Sequence, residues 1–158
     1  MSVLNKLLMI TAQQIKELRD KTGISVSACK KALEEAGGDR EKALAVLQRE
    51  SVKSAEKKAD RTLGSGVIEA YAHYNKKVGV ILELKSESDF VSGNEEFRTL
   101  AKDIAMHIAA SAPSDLNELL GQPHIKNPAV TIKELLNQAV QKFGEKIEVS
   151  RFARYNLS

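Results

Sequence analysis

The sequence predicts an α+β protein, in which a helical module is followed by a three-stranded antiparallel sheet packed with helices. In most of the chain apolar residues recur at intervals of three and four, which is typical of amphipathic helices. In residues 67–84 and 146–155 they alternate with polar residues, which is typical of half-buried strands. Helices and strands are grouped rather than regularly alternating, and this grouping favours the α+β class.

Three short helices are predicted within residues 9–51, which we assign to a first domain. Thr11 and Gln14 form a capping box at the start of the first helix, and Gly23 ends it. Ser25 caps the second helix and Asp39 caps the third. Their apolar stripes can cover one another, so we expect a small bundle near the lower size limit for independent stability.

Residues 52–62, within the stretch SVKSAEKKADRT, carry dense charge and only small apolar residues. This composition predicts a solvated helical linker, because charge runs usually face water. Contact of its lysines with RNA is the weaker alternative.

Residues 63–158 are assigned to a second domain that holds the sheet. Strands on either side of residues 75–77 form a hairpin, and a third strand covers residues 146–155. A strong apolar stripe in residues 97–108 predicts a helix that starts either at a cap by Ser92 or earlier, at Ser88. Thr131 with Glu134 caps another helix, which ends at Gly144, and three prolines mark the loop between the two helices.

Composition excludes several classes of partner. The 158 residues are 42% hydrophobic and 28% charged, and the net charge of +3 comes from interleaved charges of both signs. We therefore expect no direct nucleic-acid binding and no attraction to an anionic membrane. The apolar run MSVLNKLLMI is too short to span a bilayer, so we interpret residues 1–8 as a loose lead-in, with Met9 as an alternative start.

Residues that could perform covalent chemistry are few. No Gly-rich phosphate-binding loop is present, and Cys29, His73, His107 and His124 show no spacing typical of a metal site. We interpret Cys29 as a core residue, since it lies on an apolar helical stripe. The chain is therefore predicted to be a binding module rather than an enzyme, without cofactor or metal, in a reducing cytoplasm.

The segment ESDFVSGNEEF places Asp89 and Phe90 where a strand gives way to a helix. Phe90 either packs against the end of the sheet, with Asp89 capping the next helix, or projects toward a partner. The residues alone leave both interpretations open.

Three stretches, in order, resemble the elongation factor Ts family. TGISVSACKKALEEAGGDREKALAVL is similar to that family's N-terminal module, a three-helix fold of the ubiquitin-associated (UBA) type. KVGVILELKSESDFVSGNEEF followed by LAKDIAMHIAAS resembles its core signature. GQPHIKNP with KIEVSRFARYNL resembles its C-terminal end, so the likeness extends from residue 10 over nearly the whole chain.

The resemblance implies a guanine nucleotide exchange factor in the bacterial cytoplasm or an organelle, acting on elongation factor Tu in its GDP-bound and nucleotide-free forms. It assigns to Asp89 and Phe90 a wedge near the partner's magnesium and phosphate-binding site. It assigns to His107 a contact beside the partner's phosphate-binding loop. Contacts of the N-terminal module are expected from Arg19, Val26, Ser27 and Lys30.

The chain also departs from the family pattern. Ser88 and Gly93 stand where the family usually has threonine and a basic residue, and Ser27 replaces an apolar residue. A helical segment of several tens of residues is missing between Pro113 and Gln122, and a second copy of the core is absent. Short members of this kind imply a homodimer, with Arg151, Phe152 and Tyr155 as interface candidates. An adaptor that uses the UBA-like module is the alternative function.

Overall fold

The computed structural model describes residues 9–157, so the interpretation of residues 1–8 lies outside the described residues. Three helices come first: α1 (Ala12–Thr22), α2 (Val26–Glu35) and α3 (Arg40–Lys57). The predicted caps are confirmed, since the side chains of Thr11, Ser25 and Asp39 each accept a backbone N–H of the helix that follows. Local capping therefore sets the starts of these helices.

One apolar cluster joins the three helices. Its seven buried members come from all three helices and the turn between the first two; they are Leu18, Ile24, Cys29, Ala32, Leu33, Ala43 and Leu47. This agrees with the predicted bundle. Its likeness to the UBA fold stays a prediction.

The predicted linker begins inside a helix. α3 continues through Ser51 to Lys57 without a break. Ser51 is fully buried, and Ala55 packs against the core of the sheet domain, where α3 meets the helix formed by Ile132–Phe143. The first turns of the linker are thus helical, as expected, but one side of them is covered by protein rather than by water.

The sheet has the order β1-β2-β3 and is antiparallel throughout. β1 (Ser65–Ala72) and β2 (Val78–Ser86) form the predicted hairpin, and β3 (Glu148–Asn156) pairs with β2 along its other side. A bulge interrupts the second pairing between Glu83 and Leu84. β2 is therefore the central strand, and its inward residues Val80, Leu82 and Leu84 are buried.

Four helices accompany the sheet within the described residues: α4 (Asp89–Ser92), α5 (Glu95–Ser111), α6 (Leu116–Gly121) and α7 (Ile132–Phe143). The cap predicted for α5 at Ser92 is wrong, because Asn94 Oδ1 accepts the Glu96 N–H at 2.8 Å. Ser88 instead precedes the separate turn α4. α6 was not predicted, although Asp115 and Glu118 provide a capping pattern for it.

Among residues 9–157, helices cover one face of the sheet. α5 lies across β1 and β2, and the shared core includes Phe97, Ile104, Ile108 and Leu136. The other face is open and carries the exposed side chains of Ile68, Ala70, Ile81, Ala153 and Tyr155. The predicted α+β class is confirmed. In the described part of the chain no helix is long and apolar enough to cross a membrane.

Candidate functional site

Phe90 lies on α4 and its side chain is 93% exposed. The interpretation in which Phe90 packs against the end of the sheet is therefore wrong. The next two residues, Val91 and Ser92, are buried, so α4 is held against the domain by its inner side. A large apolar ring that is left bare while its neighbours are buried indicates a contact surface.

Asp89 does not cap the helix that follows. Its carboxylate accepts a hydrogen bond of 2.5 Å from the Ser65 hydroxyl of β1. The Ser65 oxygen also lies 2.7 Å from the Ser92 hydroxyl, and since the Ser65 proton is used on Asp89, Ser92 is the donor. This chain of three side chains ties both ends of α4 to the first strand.

A second set of hydrogen bonds joins the start of α4 to the turn between α7 and β3. Glu145 accepts the Ser88 N–H at 3.0 Å on one oxygen and the Ser88 hydroxyl at 2.5 Å on the other. In return, Glu87 accepts the Lys146 N–H at 2.8 Å. Arg61 also contacts the Glu87 carboxylate, at 3.3 Å. Sequence analysis missed these partners, since no local signal pairs residues so far apart in the chain.

His107 lies on the inner face of α5 and is fully buried. Its Nδ1 accepts the Ile125 N–H at 3.3 Å, so the ring proton lies on Nε2, which donates to Gln122 Oε1 at 2.9 Å. Residues 122–125 thus cover the ring. His107 is therefore enclosed in this arrangement, and its expected contact with a partner stays a prediction.

His124 lies beside His107 in the same enclosed cluster, with the two ring centroids 6.0 Å apart. It is only 5% exposed, and its Nε2 has no hydrogen-bond partner within residues 9–157. Burial lowers the pKa of His124, and the nearby His107 lowers it further. Burial therefore favours the neutral state of the His124 ring.

The predicted contact residues of the N-terminal module are accessible. Arg19 lies on α1, and Val26, Ser27 and Lys30 lie along α2; all four are exposed. Cys29, on the opposite side of α2, is fully buried, and burial raises the pKa of its thiol. Its interpretation as a core residue is therefore confirmed.

The interface candidates on β3 divide between the two faces of the sheet. Arg151 and Tyr155 are exposed on the open face. Phe152 is half-buried and packs against the helix-covered core. Because successive side chains of a strand point to opposite faces, Phe152 lies on the covered face and not on the open face with Arg151 and Tyr155.

Comparison with known proteins gives one consistent result. A family model described as "Elongation factor TS" matches residues 5–118 and 87–158. Elongation factor Ts of Thermodesulfovibrio yellowstonii is 41% identical over 192 residues, which covers 94% of this chain and 96% of the relative. Elongation factor Ts of Carboxydothermus hydrogenoformans is 39% identical over 194 residues, with 94% and 89% covered.

Elongation factor Ts of Thermosipho melanesiensis is 36% identical over 194 residues, covering 94% of the chain and 99% of the relative. This alignment is longer than the 158 residues of the chain, so the relative contains a stretch with no counterpart here. That difference agrees with the shortened segment inferred from the sequence. The matches extend over both the helical module and the sheet domain, and the chain therefore belongs to the elongation factor Ts family.

Proposed function

We propose that this chain is a guanine nucleotide exchange factor in translation elongation, which binds elongation factor Tu and promotes the release of GDP. The observation that carries the proposal is Phe90, 93% exposed on a helix of four residues that polar side chains hold at both ends. A rigid apolar ring presented in this way suits insertion between elements of a partner.

The proposed action forms and breaks no covalent bond. A bound nucleoside diphosphate is held by a magnesium ion and by backbone N–H groups aimed at its phosphates. Insertion of Phe90 would displace those groups, and the Asp89 carboxylate would compete for polar groups that serve the metal. Because binding is linked, factor and nucleotide each lower the affinity of the partner for the other.

Two further contacts complete the proposal. The exposed residues Arg19, Val26, Ser27 and Lys30 would bind a second area of elongation factor Tu. A contact through His107 requires residues 122–125 to move, since they enclose its ring. Ile125, one of these covering residues, has an exposed side chain.

We also propose that two copies of the chain pair through the open face of the sheet. Ile68, Ile81 and Tyr155 are 60%, 52% and 76% exposed there, on three adjacent strands. A second copy would bury the same apolar residues symmetrically, as closed dimers do. Light scattering tests this proposal: Ile81→Asp should give a monomer, whereas Val52→Asp, at an exposed position of α3, should leave a dimer. A monomeric parent chain would contradict it.

Release of labelled GDP from elongation factor Tu tests the exchange function. Burial of a phenylalanine ring contributes roughly 1.5–3 kcal/mol, so Phe90→Ala should slow stimulated release by about tenfold to hundredfold. Phe90→Leu, which keeps an apolar side chain, should lose less. Release by Phe90→Ala at the parent rate would refute the wedge.

The adaptor alternative predicts a different result. If the UBA-like module carries all binding, Val26→Asp should abolish complex formation and Phe90→Ala should have no effect. Point substitutions are preferable to deletion of residues 1–51, because that deletion would cut α3 at the buried Ser51.

A further inference from the structure

We propose that Glu145 is a positioning residue for Phe90, one that sets the direction of the exposed ring through the backbone of α4; this inference rests on the proposed exchange function. Glu145 lies at the opposite end of the domain sequence and follows Gly144, which ends α7 in the left-handed conformation. Its carboxylate is therefore brought to Ser88 by the helix end and not by sequence proximity.

α4 is too short to be stable as an isolated helix. It has four residues, and its N-cap residue Ser88 makes no side-chain hydrogen bond to it. Short helices are unstable alone, because the first turn fixes several dihedral angles for one hydrogen bond. The Ser88 hydroxyl that would ordinarily cap the helix donates to Glu145 instead, at 2.5 Å.

Glu145, which lies outside α4, instead holds the N-cap residue itself. Its two oxygens accept the N–H and the hydroxyl of the same residue, Ser88, and a carboxylate forms stronger hydrogen bonds than a neutral acceptor. The reciprocal hydrogen bond from Lys146 N–H to Glu87, at 2.8 Å, closes the arrangement. The residue that precedes the Asp89–Phe90 pair is thus fixed at two atoms.

The ring itself makes no contribution to this order, because it is 93% exposed. Its position relative to the domain is set by the backbone to which it is attached. A ring held in place before binding loses less conformational entropy on insertion. Loss of the Glu145 contacts should therefore reduce exchange while the buried core remains intact.

The chain offers a matched control. Glu118 also accepts both the N–H and the hydroxyl of one serine, Ser114, at the start of α6. Glu145→Ala and Glu118→Ala therefore each remove two hydrogen bonds from one serine at the start of a helix, between distant segments at α4 and within one turn at α6. Glu145→Ala should slow stimulated GDP release by about tenfold. Glu118→Ala should change it by less than about twofold, and Glu145→Gln, which keeps one acceptor oxygen, should lie between them.

A double-mutant cycle separates positioning from a general loss of structure. If Glu145 acts through Phe90, Glu145→Ala should have no further effect on GDP release in a Phe90→Ala background. An equal loss in both backgrounds would overturn the inference. So would parent-like exchange by Glu145→Ala.

A second measurement needs no partner. The sequence has no tryptophan, so Phe90→Trp introduces a single fluorophore at the site. Adding Glu145→Ala should increase the amplitude of its fast anisotropy decay, and adding Glu118→Ala should not. Unchanged anisotropy would overturn the positioning role. Increased motion, together with parent-like exchange by Phe90→Ala, would refute the proposed function and leave the positioning role standing.

Discussion

Phe90 and His107 were both expected to contact the partner, yet the structure places them in opposite environments. Phe90 is 93% exposed on α4, whereas His107 is fully buried under residues 122–125. The difference arises from the elements that carry them. A helix of four residues has too little surface to bury every side chain, while an inward position on α5 faces the core.

A residue that lies in a family sequence motif is therefore not always accessible to a partner in the folded chain. Phe90 is ready for contact without rearrangement, because the hydrogen bonds of Asp89 and Ser88 hold the backbone and leave the ring free. His107 would first have to lose its hydrogen bonds to Gln122 and Ile125. Four experiments test this contrast.

The largest effect on stability is expected at Phe97, and Phe90, in the same segment, should show almost none. Phe97 is fully buried and packs edge-on against Phe143, with ring centroids 6.1 Å apart. Phe97→Ala should lower the free energy of unfolding by roughly 3–5 kcal/mol. Phe90→Ala should change it by less than about 0.5 kcal/mol, because an exposed ring loses no packing. Urea denaturation measures both, and comparable losses would mean that Phe90 is packed in solution.

Removal of the buried imidazole should have a smaller effect. His107→Ala leaves Gln122 and the Ile125 N–H without their partner, which should cost about 1–3 kcal/mol of stability. GDP release should slow less than in Phe90→Ala. Lys126→Ala, which removes only a half-exposed ion pair with Asp103, is the control and should cost less than about 1 kcal/mol. A greater loss of exchange in His107→Ala than in Phe90→Ala would show that the buried ring becomes a contact.

Lowering the pH should weaken the packing of residues 122–125 over His107. Burial lowers the pKa of His124, nearby His107 and Lys126 lower it further, and Asp103 raises it. Since the folded state binds fewer protons than the unfolded state, the free energy of unfolding should fall as pH decreases below the ordinary histidine pKa of about 6.5. His124→Gln should flatten this dependence in urea titrations between pH 7.5 and 5.5. An unchanged slope would show that another group titrates.

The smallest effects are expected on the N-terminal module. Arg19 and Lys30 are exposed, so Arg19→Ala and Lys30→Ala should each change stability by less than about 0.5 kcal/mol. Each should weaken the complex with elongation factor Tu by a few-fold, mainly at low salt, because exposed charges act through screened interactions. Lys57→Ala, at the exposed end of α3, is the control for the loss of one positive charge. Calorimetric titration measures the affinities. Equal affinities of the three variants would show that Arg19 and Lys30 do not belong to the contact surface.

Elements that depend on local signals could be predicted from the amino-acid sequence. The capping boxes of α1 and α7 and the caps of α2 and α3 follow from residues a few positions apart, because these hydrogen bonds form within one turn. The hairpin follows from two alternating segments on either side of the polar turn at residues 75–77. The open face of the sheet follows from alternation along the strands. α6 could also have been predicted, since Asp115 caps it.

The exposure of the candidate contact residues depends on how distant segments pack. Ser65 and Asp89 are 24 positions apart, and Ser88 and Glu145 are 57 positions apart, so their contacts exist only after the strands and helices have packed. The same is true of residues 122–125 over His107. Periodicity shows which side of a helix faces inward, but the packing of distant segments decides whether a residue at the end of an element is covered.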